Sequence, residues 1–85
     1  MINLGKELAQ EIDDEVGRAA RHGEKFASLH EAYAVILEEL DEIWDETRLK
    51  RKNRSAENLR KELIQLAAMA VKSINSFENF VGGSV

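Results

Sequence analysis

Residues 28–49 read SLHEAYAVILEELDEIWDETRL. Ser28 followed three places on by Glu31 has the form of a capping box, in which a hydroxyl and a carboxylate take up free N–H groups at a helix start. Leu29, Tyr33, Ile36, Leu40 and Ile43 then recur at alternating steps of four and three, the period of one helix face. This spacing predicts a helix that begins at Leu29 and continues to about Leu49. Behind it, Arg48-Leu49-Lys50-Arg51-Lys52-Asn53-Arg54 is a basic stretch that ends in a turn.

Working outward, Ser55 is placed to cap a further helix running to about Phe80, with Leu59, Leu63, Leu66, Ala67, Ala70, Val71, Ile74 and Phe77 as its apolar positions. That stripe is wider than one neighbouring helix covers. Upstream, Leu4, Leu8, Ile12, Val16 and Ala19 predict a helix from about Leu4 to Arg21. Gly5 and Gly17 each weaken it by about 1 kcal/mol relative to alanine, and Gly23 is its natural stop. His22 reads as a helix-end residue favoured by the dipole. The tail Gly82-Gly83-Ser84-Val85 reads as a frayed, flexible terminus. The expected fold is therefore all-α: a single domain over residues 1–85, in which an antiparallel helical hairpin carries the N-terminal helix across it.

Composition supports this and narrows the function. The 85 residues include no proline and no cysteine, and 33% are charged. A chain this short buries a thin core, and without disulfides or thiolate-bound zinc the available staple is oligomerisation. Two or four copies, a homodimer or homotetramer, would bury the wide stripes as an oligomeric helical bundle. The formal net charge of −4 argues against binding a nucleic-acid polymer, which needs a basic surface. No apolar run approaches the roughly 18 residues of a membrane span and no basic-then-apolar leader is present, so the expected setting is the cytoplasm.

Laid on a wheel at about 100° per residue, the helix over 29–49 separates two arcs. Ile43, Ile36, Leu29, Leu40, Tyr33 and Trp44 occupy one. Glu38, Glu31, Glu42 and Glu46 lie together on another, and Glu39 sits on the border. A solvated face usually pairs Glu with Lys or Arg four residues on. Here Glu38 is followed at that step by Glu42, Glu42 by Glu46, and Asp41 by Asp45, leaving Glu46 with Lys50 as the favourable pair. Glutamates three and four apart on one face suit a hard, oxygen-seeking cation such as magnesium; a solvated acidic face is the alternative. On the next helix Glu62 borders the apolar arc, where a half-buried carboxylate needs a partner: Arg60 or Lys61, or a cation shared with the first set of acids.

The string Glu38-Glu39-Leu40-Asp41-Glu42 has the form EExxE, and Glu62 follows in Lys61-Glu62-Leu63-Ile64-Gln65. With the flanking text His30-Glu31-Ala32-Tyr33-Ala34-Val35-Ile36-Leu37 and Leu66-Ala67-Ala68-Met69-Ala70, this resembles the MazG-like all-α nucleoside triphosphate pyrophosphohydrolases, over about residues 26–75. Their signature is EExxE followed by ExxD on the next helix. The resemblance implies cleavage of a nucleoside triphosphate to monophosphate and pyrophosphate. It also implies that Glu39, Glu42 and Glu62 hold Mg2+, or Mn2+ in its place, and that Glu38 and Glu39 are catalytic, Glu38 assisting as a further metal ligand or by orienting the attacking water. The family's Asp is Gln65 here, which removes one negative charge from the site and weakens its hold on magnesium. A catalytically degenerate module that binds nucleotide or a protein partner is the alternative that Gln65 marks, and a purely structural helical assembly is a third reading.

Lys50, Arg51, Lys52 and Arg54 are placed to grip a triphosphate tail, or else form a solvated loop. Lys72 and Asn75, on the polar side of the last helix, are candidates to reach a nucleotide across an assembly interface. Trp44, Tyr33 and Phe26 have the spacing of core residues, with base stacking as the alternative. His30, beside Trp44, reads as a packed residue rather than a ligand.

Overall fold

In a computed structural model describing residues 4–81, helix α1 spans Lys6–Ala19 and ends in a 3-10 turn, Ala20–His22. Helix α2 spans Leu29–Thr47, a second 3-10 turn covers Arg51–Asn53, α3 spans Ala56–Ile74, and α4 is the short helix Phe77–Phe80. The described residues contain no strand, and no helix among them is long and apolar enough to cross a membrane. The tail 82–85 and the side chain of His22 lie outside the described residues, so the readings made for them are not addressed.

The helix starts follow the chemistry of their caps. The Ser28 hydroxyl accepts the Glu31 N–H at 3.1 Å, and a Glu31 carboxylate oxygen accepts the N–H of Ala27 at 3.2 Å. The capping box is thus present, with its return bond one residue earlier than Ser28. Ser55 accepts the Asn58 N–H at 3.1 Å in the same way. At the other end of α2, the Arg54 guanidinium donates to the carbonyls of Thr47 at 2.7 Å and Leu49 at 3.1 Å. Those carbonyls have no partner within the helix, so Arg54 closes α2 and holds the hairpin turn. Gly23, at φ 106°, takes the backbone out of the first helical segment through a conformation that costs a side chain strain.

One expectation is corrected here. The third helix does not run unbroken to Phe80; it stops at Ile74 and resumes at Phe77. Ser76, fully buried, donates its hydroxyl to the Lys72 carbonyl at 2.6 Å and accepts the Phe26 N–H at 2.8 Å. Asn79 donates to the Phe26 carbonyl at 2.8 Å, and Lys25 pairs with Glu78. The backbone of the segment before α2 is thereby fastened to the end of α3, and the helix breaks where that fastening is made.

Helix α3 is central: α2 packs antiparallel along it, and α1 packs on it as well. Phe26, Ala32, Ala68 and Met69 form the buried core, with Val16, Ala19, Val35, Ile36 and Phe80 packed against it. Phe26 is a core residue as expected, but Tyr33 and Trp44 are not, being 66% and 58% exposed. The reason lies in how α2 is rotated. It meets α3 with the edge of its apolar arc, so Ala32, Ile36, Glu39, Ile43 and Glu46 turn inward or partly so, and the middle of the arc stays outside.

A candidate carboxylate site between the two long helices

That rotation carries the acids of α2 towards α3. Glu39 and Glu42 from α2 and Asn58, Lys61, Glu62 and Gln65 from α3 line one open cavity of about 440 Å3. The three glutamates read as metal ligands therefore share a space, and Gln65 shares it with them. Glu38, on the same helix, is exposed and does not line this cavity. One carboxylate oxygen of Glu39 and one of Glu62 are buried without a hydrogen-bond partner. A buried carboxylate oxygen left in this state is costly and is stabilised by either a proton or a cation.

Electrostatics describes the same strain. Burial pushes the Glu39 carboxyl up from 4.5 to about 7, reinforced by the neighbouring charge of Glu42, a hydrogen-bonded contact with it, and the charges of Glu15 and Glu38. Glu62 is also raised, by burial first and then by Glu46, Glu42 and Asp45, with Lys61 opposing. Around neutrality the Glu39 carboxyl is thus a group that can both take and return a proton. Among the described residues no three acidic or histidine side chains are gathered closely enough to hold a metal ion as they stand.

Two acids play parts the linear pattern did not suggest. Glu46, expected to pair with Lys50 on the surface, is only 8% exposed and accepts the backbone N–H of Ser55, the cap of α3. Glu15 of α1 reaches close enough to raise Glu39, while an oxygen of its carboxylate is held by Arg18 at 2.9 Å. The first helix, which the motif left out, therefore contributes to the field at the site. Glu15 lines an adjoining cavity of about 570 Å3 that also contains Gln65 and Lys61.

No family model, curated protein or solved structure matches this chain. None of the three comparisons identifies a MazG-like family for it.

The basic candidates are distributed differently from the acids. Lys50, Arg51 and Lys52 are exposed in the turn between α2 and α3, Arg54 is committed to capping α2, and none of the four lines the carboxylate cavity. Lys72 does not lie on a polar surface: it is 5% exposed, its ammonium sits 4.5 Å from the Phe26 ring centroid, and it donates to the Ala19 carbonyl at 3.5 Å. The carbonyl end of α1 and the ring face together replace its water. Asn75 is exposed at the C-terminal end of α3. Arg60, a potential partner for Glu62, instead makes a two-point pair with Glu11 of α1 at 2.6 and 2.7 Å. The cation that does line the cavity is Lys61. His30 is exposed rather than packed.

Proposed function

We propose that this chain is a nucleotide pyrophosphohydrolase of the MazG-like kind, cleaving a ribo- or deoxynucleoside triphosphate to monophosphate and pyrophosphate with magnesium or manganese. The observation that carries the reading is the meeting of Glu39, Glu42 and Glu62 in one cavity, two of them with buried, unpartnered oxygens. Three carboxylates from facing helices are the donor set of a bundle metal site. The divalent ion, when bound, would neutralise the polyphosphate and lower the pKa of a bound water. Glu39, Glu42 and Glu62 would be the residues that hold it, drawing in from their present spacing as the cation removes their mutual repulsion. Glu39, raised to about 7 without the cation, would give up its proton as the cation binds beside it; as a carboxylate there it could also accept the proton of the attacking water. Lys61 faces the phosphate oxygens from α3, and the exposed Lys50, Arg51 and Lys52 attract the polyanion from the turn. A cytoplasmic setting, which supplies both nucleoside triphosphate and magnesium, is part of this reading.

The test is pyrophosphate release from a panel of triphosphates with magnesium, manganese or chelator. Metal-dependent release that disappears in Glu39→Gln is the expected result. No release from any nucleotide by the folded protein rejects the hydrolase reading. Gln65, together with the present spacing of the acids, favours one second reading: a module that binds nucleotide without turnover. Titration with a triphosphate that yields saturable binding and no pyrophosphate would establish it.

A further inference from the structure

Lys72 is a buried charge for which the carboxylate site has no use. It is 5% exposed, yet among the described residues no carboxylate forms an ion pair with it. An ammonium has three N–H donors. One reaches the Ala19 carbonyl at 3.5 Å, the long limit of a hydrogen bond, and the ammonium sits 4.5 Å from the Phe26 ring centroid. Its other N–H groups have no oxygen partner among the described residues. A buried cation so thinly coordinated is costly, and an anion beside it removes the cost.

Both of those contacts are also walls of one cavity. Ala19 at the end of α1, Phe26, Glu31 and Val35 of α2, and Met69 and Lys72 of α3 line a space of about 340 Å3. Phe26 and Met69 are buried core residues, and Ala19 and Val35 pack against them. Glu31 is the exposed member; one of its carboxylate oxygens accepts the Ala27 N–H, and it marks the open side. A mostly apolar lining with one converging charge, at the low end of the size range, is the make-up of a small-molecule pocket. No residue is shared with the cavity of Glu39, Glu42 and Glu62, so binding here is independent of pyrophosphate release.

We propose that this cavity binds a small organic monocarboxylate, its head on the Lys72 ammonium and its apolar body against Phe26, Val35 and Met69. Size, charge and polarity select that class. At about 30 Å3 per water-sized group, 340 Å3 holds roughly eleven non-hydrogen atoms, enough for a short alkyl chain or one aromatic ring and too few for a nucleotide. The carbonyl end of α1 carries about half a negative charge against the full positive charge of the ammonium, so the balance left at Lys72 suits a single negative charge. Glu31 repels a second one, which disfavours phosphate and polyphosphate heads. The apolar walls favour a body with nothing to hydrogen-bond.

Titration of the unmodified chain with hexanoate, followed by NMR, tests this. Saturable shifts should appear at the Val35 and Met69 methyls and the Phe26 ring, with a Kd at or below about 1 mM. Hexanol, of the same length but uncharged, should bind at least about tenfold more weakly. Inorganic phosphate at the same concentration as hexanoate should not compete. Lys72→Met keeps the volume without the charge. It should weaken hexanoate at least about tenfold and leave hexanol within about twofold, so that the preference disappears. Val35→Phe fills the cavity and should abolish binding of both. The comparison of hexanoate with hexanol needs no variant and stands even where one fails to fold. Shifts that are absent, that never saturate, or that fall on Leu37 and Trp44 instead overturn the proposal. So does hexanol that binds the unmodified chain as tightly as hexanoate, because Lys72 then recognises nothing. Displacement by phosphate overturns it too, and leaves a site for an inorganic anion.

Discussion

Glu39→Gln is expected to stabilise the fold at neutral and alkaline pH and to leave it nearly unchanged in mild acid. In the folded chain the Glu39 carboxyl keeps its proton to about pH 7, while in the unfolded chain it releases it near 4.5. Between those values the folded state binds more protons than the unfolded one, so stability falls as pH rises and the loss is complete above about 7. Each pH unit across this interval is worth about 1.4 kcal/mol, which puts the full displacement at roughly 3 kcal/mol. The carboxyl is partly open to water, and screening brings the expected gain on neutralising it to about 1–2 kcal/mol. Glutamine keeps the shape and can donate to Glu42, so little packing is lost. Urea unfolding followed by circular dichroism, without divalent cations and at one fixed protein concentration, measures this directly. The midpoint of Glu39→Gln should exceed that of the unmodified chain by roughly 1 M at about pH 8 and converge with it near pH 4. An equal gain at both pH values, or a loss at the higher one, would refute the account of Glu39 as an acid whose charged form is strained by burial.

Ser76→Ala removes the acceptor of the buried Phe26 N–H and should cost about 1–3 kcal/mol. Hydrogen exchange will show it as lost protection at the Phe26 amide ahead of α2 itself. Lys72→Met keeps the packing on Phe26 but loses the cation–π contact, so a cost of about 1 kcal/mol in the same unfolding assay is expected. Nucleotide affinity should be unaffected, because Lys72 lines a different cavity from Glu39 and Glu62. Gln65→Asp adds a fourth acid beside Glu39 and Glu62; calorimetry should show tighter magnesium binding, while the metal-free protein becomes less stable above neutral pH.

The sequence makes the two long helices legible because their signals are local. Ser28 with Glu31, and Ser55 ahead of Asn58, close the first turns they precede, and a period of three and four residues needs nothing beyond the helix itself. The break at Ser76 is not local, since it depends on the Phe26 N–H some fifty residues earlier. Glu46 looked like half of a surface pair because Lys50 follows at the right step, yet the backbone of Ser55 claims it after the chain has turned. For the site, the wheel sets Glu39 and Glu62 at the borders of their apolar arcs and the resemblance joins Glu42 to them; that the three line one cavity follows from how α2 and α3 pack. The part of Glu15 could not be read, because it depends on where α1 comes to lie; Lys61 is one of two expected partners for Glu62, and the packing of α1, which takes Arg60 to Glu11, decides between them.

The rotation of α2 connects the carboxylate cavity with the exposed apolar arc of the same helix, Leu29, Tyr33, Leu37, Leu40 and Trp44. A helix with one apolar and one acidic arc, packed on a single neighbour, gains most by turning the middle of its apolar arc inward. In that setting Tyr33, Leu37 and Trp44 would be covered and Glu39 would remain in water. Instead the helix meets α3 with its border, burying Glu46 and half-burying Glu39 while five large apolar side chains stay out. The cost of each half is removed only by a further partner: a proton or cation for the acids, and an apolar surface for the stripe. Covering that stripe by a second copy, the assembly expected for so thin a core, would hold α2 in this rotation, and so keep Glu39 and Glu42 in the cavity they line with Glu62. Monomerising substitutions such as Leu37→Glu, although far from the acids, should therefore lower the pH at which Glu39 releases its proton, as α2 becomes free to turn it outward. A Glu39 titration followed by NMR that is identical in the dimer and in a folded Leu37→Glu monomer would separate the two features and leave the rotation to the hairpin alone.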